Sequence, residues 1–390
     1  MNGMQRVILG AAVVALAGAP AFATAELMIV GNDQKVTWDD AGKPVFAAPG
    51  EDTVSIVDIS DPENPKIVAS LDLMNSIFGP PTNLAITPDE TLALVTNAMQ
   101  WTKAGETFEP APDAKVYVID LEKSPPEQIG TVEVGQQPSG IAINQAGDLA
   151  LVANRAGNSI SVLAIDGKEV QHVGDVDMGG QVAAVAISPD GSRALAAKFP
   201  EHKVALLEID GQDVTYGGQD IPVGLWPYNV AITPDGALAL TADNGASGAS
   251  DGNVDTVSVI DLSAEHPHVI DKVVVGDGPE GLAISPTGDL AVAILLNGSA
   301  AVPKDAWFAN PNGKVAVLSI DGKKVTKTGE VEVGGLPEGV VFSQDGKYLY
   351  VGNYTDRNVS ILKVQDGEVV NTGKTLELPG QPASMRGAHP

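Results

Sequence analysis

The sequence predicts an all-β protein, a seven-bladed β-propeller of four-stranded antiparallel blades, and three observations lead to this prediction. One phrase recurs along the chain, for example VGQQPSGIAINQAGDLALVAN from Val134 to Asn154 and VGDGPEGLAISPTGDLAVAIL from Val275 to Leu295. The copies begin 44 to 58 residues apart, which is the period of radial β-sheet repeats. Fragments at the two ends of the chain complete one further unit, so we expect a closed ring.

Each unit can be aligned on one anchor position, usually Pro in the pattern G-x-x-P. The anchors are Pro81, Pro138, Val182, Pro227, Pro279, Pro337 and Pro382. An alternating strand such as Gly140–Ile143 follows the anchor, and a turn such as TPDG or SPDG comes next, with Pro and Gly where a type I turn favours them. A small apolar strand such as Leu149–Val152 is second. The third strand reads VYVIDL or ISVLAI, and IDG predicts a hairpin into the fourth.

The ends of the chain determine the number of blades. Before Pro81 the sequence predicts only three strands: Leu27–Val30, Thr53–Ile59 and Lys66–Leu73. After the last full unit, PGQPASMRG predicts a single strand. Three strands and one make a shared blade, which with six internal units gives seven and removes free sheet edges. We therefore expect one propeller domain over residues 26–390; a β-solenoid is the alternative, but its repeats are usually shorter.

The N-terminal segment predicts export. Arg6 precedes an apolar stretch, Val7–Ala17, and small residues surround Ala23 and Ala25. This pattern is typical of a signal peptide over residues 1–25, with an uncleaved anchor as the alternative. We expect a periplasmic or secreted protein without a transmembrane span. The absence of cysteine excludes disulfides and thiolate sites, and the net charge of −27 argues against nucleic acid as a partner.

The repeats resemble a known family. The phrases NSISVLAID and LPEGVVFSQDGKYLYVGNYTDRNVSILKV are similar to YVTN-type propeller repeats, and VSIVDISDPENPKIVAS resembles the related LVIVD repeat. The resemblance implies the fold for nearly all of the mature chain. It implies less about activity, because such propellers include surface-layer proteins, lactonases and subunits of periplasmic redox enzymes.

Long connections indicate which face carries a site. In a propeller, the loops joining strand two to three and strand four to one lie on the same face, here called the top face. Four such connections are long: Asn32–Asp52, Ala98–Ala114, Asp243–Asp255 and Asn297–Gly313. All four tryptophans fall on this face, although only 4% of the residues are aromatic. The predicted ligand-binding residues are Trp38, Trp101, Trp226, Tyr228, Trp307, Arg155, His202 and Arg357. The alternative is that the rings pack the loops onto the rim.

Residues just after the anchors should enter the mouth of the central channel. Asn83, Asn229, Glu280 and Glu338 supply oxygen ligands of the kind that Ca²⁺ or another divalent cation prefers. Glu280 and Glu338 are also candidate catalytic bases. The alternative for all four is that they cap loop backbone or face water in the channel.

Three functions remain open at this point. The first is an exported binding protein whose top-face loops hold a small molecule or a periplasmic partner protein. The second is a lactonase-like hydrolase or isomerase that acts on a sugar lactone with a divalent cation. The third is a subunit of a periplasmic redox system. No phosphate-binding loop points to other chemistry.

Overall fold

The computed structural model describes residues 26–245, 248–299 and 301–388. The predicted signal peptide, residues 1–25, lies outside the described residues, so export stays a prediction. No helix in the described ranges is long and apolar enough to cross a bilayer.

The described chain is built from β-strands, together with one short 3₁₀ helix at Phe199–Glu201. The first strands are β1 (Leu27–Asp33), β2 (Val36–Trp38), β3 (Pro44–Phe46), β4 (Thr53–Asp58) and β5 (Lys66–Leu71). The next two units are β6 (Leu84–Ile86), β7 (Leu92–Ala104), β8 (Thr107–Asp120), β9 (Glu127–Glu133), β10 (Pro138–Ile143), β11 (Leu149–Asn154), β12 (Ser159–Asp166) and β13 (Glu169–Asp177).

The remaining units follow the same order. They are β14 (Val185–Ile187), β15 (Arg193–Lys198), β16 (Lys203–Asp210), β17 (Asp213–Pro222), β18 (Pro227–Ile232), β19 (Leu238–Asp243), β20 (Asp255–Asp261), β21 (His268–Gly276), β22 (Pro279–Ile284), β23 (Leu290–Leu295), β24 (Lys314–Asp321), β25 (Lys324–Glu332), β26 (Pro337–Phe342), β27 (Tyr348–Asn353), β28 (Asn358–Gln365), β29 (Glu368–Glu377) and β30 (Gln381–Gly387).

The seven-bladed propeller is confirmed. Blade 1 has the strand order β30-β1-β4-β5, and blades 2 to 7 are the consecutive quartets β6–β9, β10–β13, β14–β17, β18–β21, β22–β25 and β26–β29. The closing strand β30 pairs antiparallel with β1, as Val30 opposite Met385 shows. The C-terminal strand therefore joins the N-terminal blade, and the shared blade closes the ring as the strand count predicted.

Side-chain hydrogen bonds hold the turns that the sequence predicted between the first and second strands. In the SPDG turn, Ser188 Oγ donates to Asp190 Oδ1 at 2.6 Å, and the same carboxylate accepts the backbone N–H of Ser192 at 3.0 Å. Thr233 and Asp235 repeat the first contact at 2.6 Å. These hydrogen bonds lower the pKa of both aspartates. The capped turns fix the register between the first two strands of each blade.

The core lies between the blades. Seven clusters of buried aliphatic side chains each join two neighbouring blades, and one of them joins the last blade to the first. The inner strands are buried on both faces, whereas outer strands such as β13 are mostly exposed. Each sheet hides its apolar faces against its neighbours, so the ring positions the top-face loops rigidly.

Two of the predicted long loops are partly β-structure. The segment 98–114 is the tip of a long hairpin, because β7 and β8 continue pairing from Asn97–Lys115 to Ala104–Thr107. The segment 32–52 contains the hairpin of β2 and β3. Short runs of adjacent β-branched and aromatic residues, such as Val36–Trp38 and Thr107-Phe108, occur in these hairpins, a signal that the loop prediction had not used.

Candidate functional site

The site is built from the start of the innermost strands. The first residue after each anchor lies there: Thr82, Ser139, Ala183, Tyr228, Glu280, Glu338 and Ala383. Neighbouring inner strands also bond to each other at this level, because Ile141 N donates to Thr82 O and Gly140 N donates to Ala183 O, each at 2.9 Å. The channel mouth is therefore a tight ring of backbone with one side chain from each blade.

Glu280 and Glu338 form a buried pair at the mouth. They come from the neighbouring blades 6 and 7, their side chains share a hydrogen bond, and the residues are 5% and 2% exposed. Burial raises the pKa of Glu280 to about 8. Burial also raises the pKa of Glu338 well above its usual range, and the neighbouring charge of Glu280 raises it further. Two carboxylates in contact cannot both ionise cheaply, so Glu338 keeps the proton and donates it to Glu280.

The Arg155 side chain extends from blade 3 toward this pair. The Arg155 guanidinium donates to Tyr228 Oη at 3.3 Å and lies over the Phe199 ring, 4.7 Å from its centroid. The positive charge of Arg155 lowers the pKa of Glu280 in opposition to burial. Burial raises the pKa of Tyr228 to about 12, so its hydroxyl stays protonated at neutral pH. The mouth thus brings together two carboxyl groups, a phenol and a guanidinium.

A loop from blade 5 lies over Glu280. Asn244 Nδ2 approaches Glu280 Oε1 at 3.4 Å, while Gly248 N donates to Asn244 Oδ1 at 2.6 Å. A Cβ atom on Gly248 would lie 3.9 Å from the same Glu280 oxygen. The backbone at Gly248, with φ of 83°, is a conformation that glycine adopts easily. Asn244 and Gly248 therefore lie beside the buried carboxyl group of Glu280.

Several buried polar atoms near the inner-strand starts have no hydrogen-bond partner in the described structure. They are Thr82 Oγ1, Asn83 Oδ1, Ser384 Oγ and Glu338 Oε2. Buried polar groups are seldom left unsatisfied, so each marks a place for water or for a polar ligand. The free Oε2 matters most, because it belongs to the acid of the pair.

The four predicted cation ligands do not come together in one site. Glu280 and Glu338 meet, but Asn229 Oδ1 accepts the backbone N–H of Val230 at 2.8 Å, and Asn83 Nδ2 donates to Thr96 O at 3.1 Å. Both amides therefore cap backbone within their own blades. No group of three or more His, Asp or Glu side chains arranged to hold a metal occurs in the described ranges. A cation at the mouth would have to replace the shared proton between the two glutamates.

Two of the predicted aromatic residues, Trp226 and Tyr228, lie near the Arg155 side chain. The Trp226 ring packs edge-on against Phe199 with centroids 5.0 Å apart, and its Nε1 is buried without a described partner. His202 Nδ1 accepts the Trp226 backbone N–H at 2.9 Å. His202, which was predicted to bind the ligand directly, instead holds the backbone of the segment that carries Trp226 and Tyr228.

The other predicted residues lie apart from the pair. Trp101 is 8% exposed and packs against Phe46 with centroids 5.0 Å apart, as the packing alternative expected. Trp307 is 81% exposed. Arg357 is exposed on the outer rim, where it donates to the Gln34 side chain at 3.2 Å and also to a backbone carbonyl. The Ala98–Ala114 hairpin buries Trp101, which explains why loop sorting misplaced this residue.

Trp38 lines a groove on the top face. The groove has a volume of about 590 Å³, and Asp39, Lys304, Asn310 and Gln381 also line it. Trp38 packs edge-on against Tyr354, with ring centroids 5.8 Å apart. Trp38 packs against an apolar cluster that contains Tyr354, Leu296 and Leu336.

Sequence reasoning missed two residues of the site. Phe199 supports the Arg155 guanidinium, and Asn244 contacts Glu280. Phe199 sits in the tight connection KFPEHK, and Asn244 directly follows β19. Both occupy second-to-third-strand connections on the top face, so their place in the repeat was the available signal.

The sequence matches the family described as lactonase, seven-bladed beta-propeller, over residues 50–224 and 246–390. The chain belongs to this lactonase propeller family. Among curated proteins, none matches it. The similarity of the repeats to the YVTN type stays a prediction. The family match supports the relation to lactonases that the same resemblance implied.

Solved structures with the same fold are distant in sequence. A Bacteroides fragilis protein assigned as a 6-phosphogluconolactonase is 17% identical, with a TM-score of 0.72 over 95% of this chain and 99% of its own. The periplasmic gluconolactonase of Pseudomonas aeruginosa is also 17% identical, with a TM-score of 0.68 over 93% and 99%. Hydrazine synthase of Kuenenia stuttgartiensis is 20% identical, with a TM-score of 0.55 over 74% and 78%. At these identities the likeness shows the fold of the lactonase propeller family and nothing finer.

Proposed function

We propose that the protein hydrolyses a lactone of the sugar-acid type at the channel mouth. The observation that carries the proposal is the buried pair Glu280 and Glu338, with raised pKa values, beside Arg155. Membership in the lactonase propeller family supports it, and so do the gluconolactonase names among the structural neighbours. The alternative of ligand binding without chemistry has less support, because binding alone gives no reason to bury two carboxyl groups in contact.

The chemistry uses one shared proton. As a water oxygen attacks the lactone carbonyl carbon, the Glu280 carboxylate takes a proton from that water and the carbonyl electrons move to oxygen. The Arg155 guanidinium and the Tyr228 hydroxyl are positioned to offset the developing negative charge. When the ring C–O bond breaks, the Glu338 carboxyl gives its proton to the departing ring oxygen. The product is an open hydroxy acid, and the proton on Glu280 restores the pair.

Two neighbouring carboxyl groups that share one proton supply both a base and an acid. Because burial raises the pKa of Glu280 to about 8, the pair reaches this form as the pH rises toward 8. A divalent cation is the other means of offsetting two carboxylates, and it would polarise the carbonyl instead of the proton. The two cases differ in whether chelator treatment abolishes activity.

The groove beside Trp38 favours ligand retention as a second candidate function. Its volume of about 590 Å³ and its mixture of an aromatic ring with carboxylate, amide and ammonium groups suit a polar small molecule.

We also propose that the protein works outside the cytoplasm, because residues 1–25 have the pattern of a signal peptide. N-terminal sequencing of the mature protein tests export.

A pH-stat assay tests the hydrolase proposal. Dialysed protein is given gluconolactone and a panel of other sugar lactones, with and without EDTA, and acid release is compared with the spontaneous rate. We expect acceleration that survives EDTA and is lost in Glu280→Gln but kept in Glu133→Gln, an exposed control. Rates equal to background on every lactone, with calorimetric binding intact, would instead establish the binding function.

A further inference from the structure

The closing strand breaks the repeat with a charged residue. Four residues after each anchor, the six other blades carry Ala85, Ala142, Ala186, Ala231, Ala283 and Val341. The closing strand carries Arg386 at the equivalent position. Six small apolar residues and one arginine at a single level of the ring are not explained by packing, since each sheet needs only a small side chain there.

Arg386 faces a cavity in the lower part of the central channel. The cavity has a solvent-accessible volume of about 80 Å³, and inner strands of blades 1 to 6 line it. Pro88 and Gln145, from the turns between first and second strands, mark its lower end. A single water needs only about 10–15 Å³ of such volume, so the cavity has room for a small anion with water. It lies at the opposite end of the inner strands from Glu280.

The guanidinium of Arg386 has no partner among the residues that the structure describes. No described side chain or carbonyl accepts a hydrogen bond from it, and no described acid forms an ion pair with it. Burial alone lowers its pKa to about 10, so it remains a cation at neutral pH. The residue is partly open to the channel. A charge removed from water without a counter-charge is costly, and a bound anion relieves that cost.

We propose that Arg386 holds a small oxyanion, a carboxylate or phosphate group, in the lower channel. The planar guanidinium presents paired N–H donors that match either group in a bidentate arrangement. Apolar walls around it supply no competing acceptor side chain except the amide of Gln145. This site is separate from the carboxylate pair, and the proposal does not depend on lactone hydrolysis.

Calorimetry with inorganic phosphate and, separately, with acetate tests the site at constant ionic strength. The variants are Arg386→Met, which keeps length and removes charge, and Arg193→Met, which alters an exposed arginine on the turn face. We expect saturable binding of at least one anion by the wild type and by Arg193→Met. Binding by Arg386→Met should be weaker by about tenfold or more, a loss of roughly 1.4 kcal/mol. The two arms distinguish phosphate from carboxylate.

Folding does not confound the result, because removing an unpaired cation should leave the melting temperature in anion-free buffer equal or higher. Arg386→Lys provides a second variant, which keeps the charge but loses the forked donor geometry and should bind more weakly than wild type. Absence of saturable binding of both anions by the wild type would overturn the proposal. Equal binding by wild type and Arg386→Met would overturn it as well.

Discussion

Glu280 and Glu338 lie in hydrogen-bond contact on neighbouring blades, and both are buried at the mouth of the channel. The anchor geometry causes this contact, because each glutamate is the first residue of its inner strand after the anchor proline. Gly281 and Gly339 follow them, and a Cβ atom on Gly281 would lie 2.6 Å from the backbone oxygen of Glu338. The glycine therefore allows the two strands to approach closely enough for the acids to meet.

Stability should fall as pH rises because of this pair. Burial raises the pKa of Glu280 to about 8, and burial together with the charge of Glu280 raises the pKa of Glu338 well above its usual range. The unfolded chain releases these protons near the usual glutamate range, whereas the folded protein retains them, so each rise in pH across this window favours unfolding. Replacing Glu338 with Gln removes the part of this effect that Glu338 contributes, while burial still raises the pKa of Glu280. We expect the variant to gain stability relative to wild type between pH 5 and pH 8.

Urea unfolding at several pH values measures that difference. Asp243 and Asp255, whose pKa values burial raises to about 6, contribute the same slope to both proteins and cancel. A constant difference between the two proteins across this range would mean that Glu338 does not retain a proton in the folded protein.

Arg155 should be needed for activity more than for folding. Its guanidinium is half-buried, contacts Tyr228 Oη and stacks on Phe199, so Arg155→Met keeps the apolar contact and removes the charge. We expect kcat to fall about a hundredfold, the size of effect seen when one charge-stabilising donor is lost, while the melting temperature changes little. Steady-state lactone hydrolysis measures this. An unchanged kcat would remove Arg155 from the site.

A buried ion triad should stabilise the closing blade. Lys35 Nζ contacts Asp33 Oδ1 at 3.0 Å, the Asp52 carboxylate, and Asn75 O at 2.6 Å, with all three charged side chains buried. Lys35→Met leaves two buried acids without a cation, which should cost about 3–5 kcal/mol in the free energy of unfolding. Adding Asp33→Asn and Asp52→Asn should recover part of that loss. Denaturant unfolding of the single and triple variants tests the triad, and equal losses in both would contradict it.

The two loop tryptophans should respond differently to truncation. Trp101 is 8% exposed and packs against Phe46 and Phe78, whereas Trp307 is 81% exposed. Trp101→Ala should lower the free energy of unfolding by about 2–4 kcal/mol, because it removes a buried ring. Trp307→Ala should change stability little. Thermal unfolding provides the comparison, and similar melting temperatures for the two variants would mean that the hairpin packing is unimportant.

The fold could be predicted from the sequence because its signals are local and repeated. Every unit restates the same strand periodicity and the same capped turn, as Ser188 with Asp190 and Thr233 with Asp235 illustrate. Counting the strands at both ends sufficed to predict closure by β30. The repeat register also placed Glu280 and Glu338 at the mouth, although it could not show that they touch.

The rest depends on contacts between residues far apart in sequence. The Lys35 triad reaches Asn75, forty positions away, and Arg155 reaches Tyr228 across blade 4. Trp101 was misplaced because its predicted loop continues as a hairpin beyond the blade edge. The repeat alignment shows Arg386 as an exception, but the proposal that it binds an anion needed the cavity around it and the lack of a described partner.

Lactone hydrolysis by the single variants Glu280→Gln and Glu338→Gln and by the double variant tests the central claim most directly. If the two carboxyl groups act as one base and one acid, each single variant should lose about a hundredfold or more in kcat, and the double variant should lose little beyond that. Wild-type rates in both single variants, measured on a lactone that the wild type hydrolyses, would contradict the account.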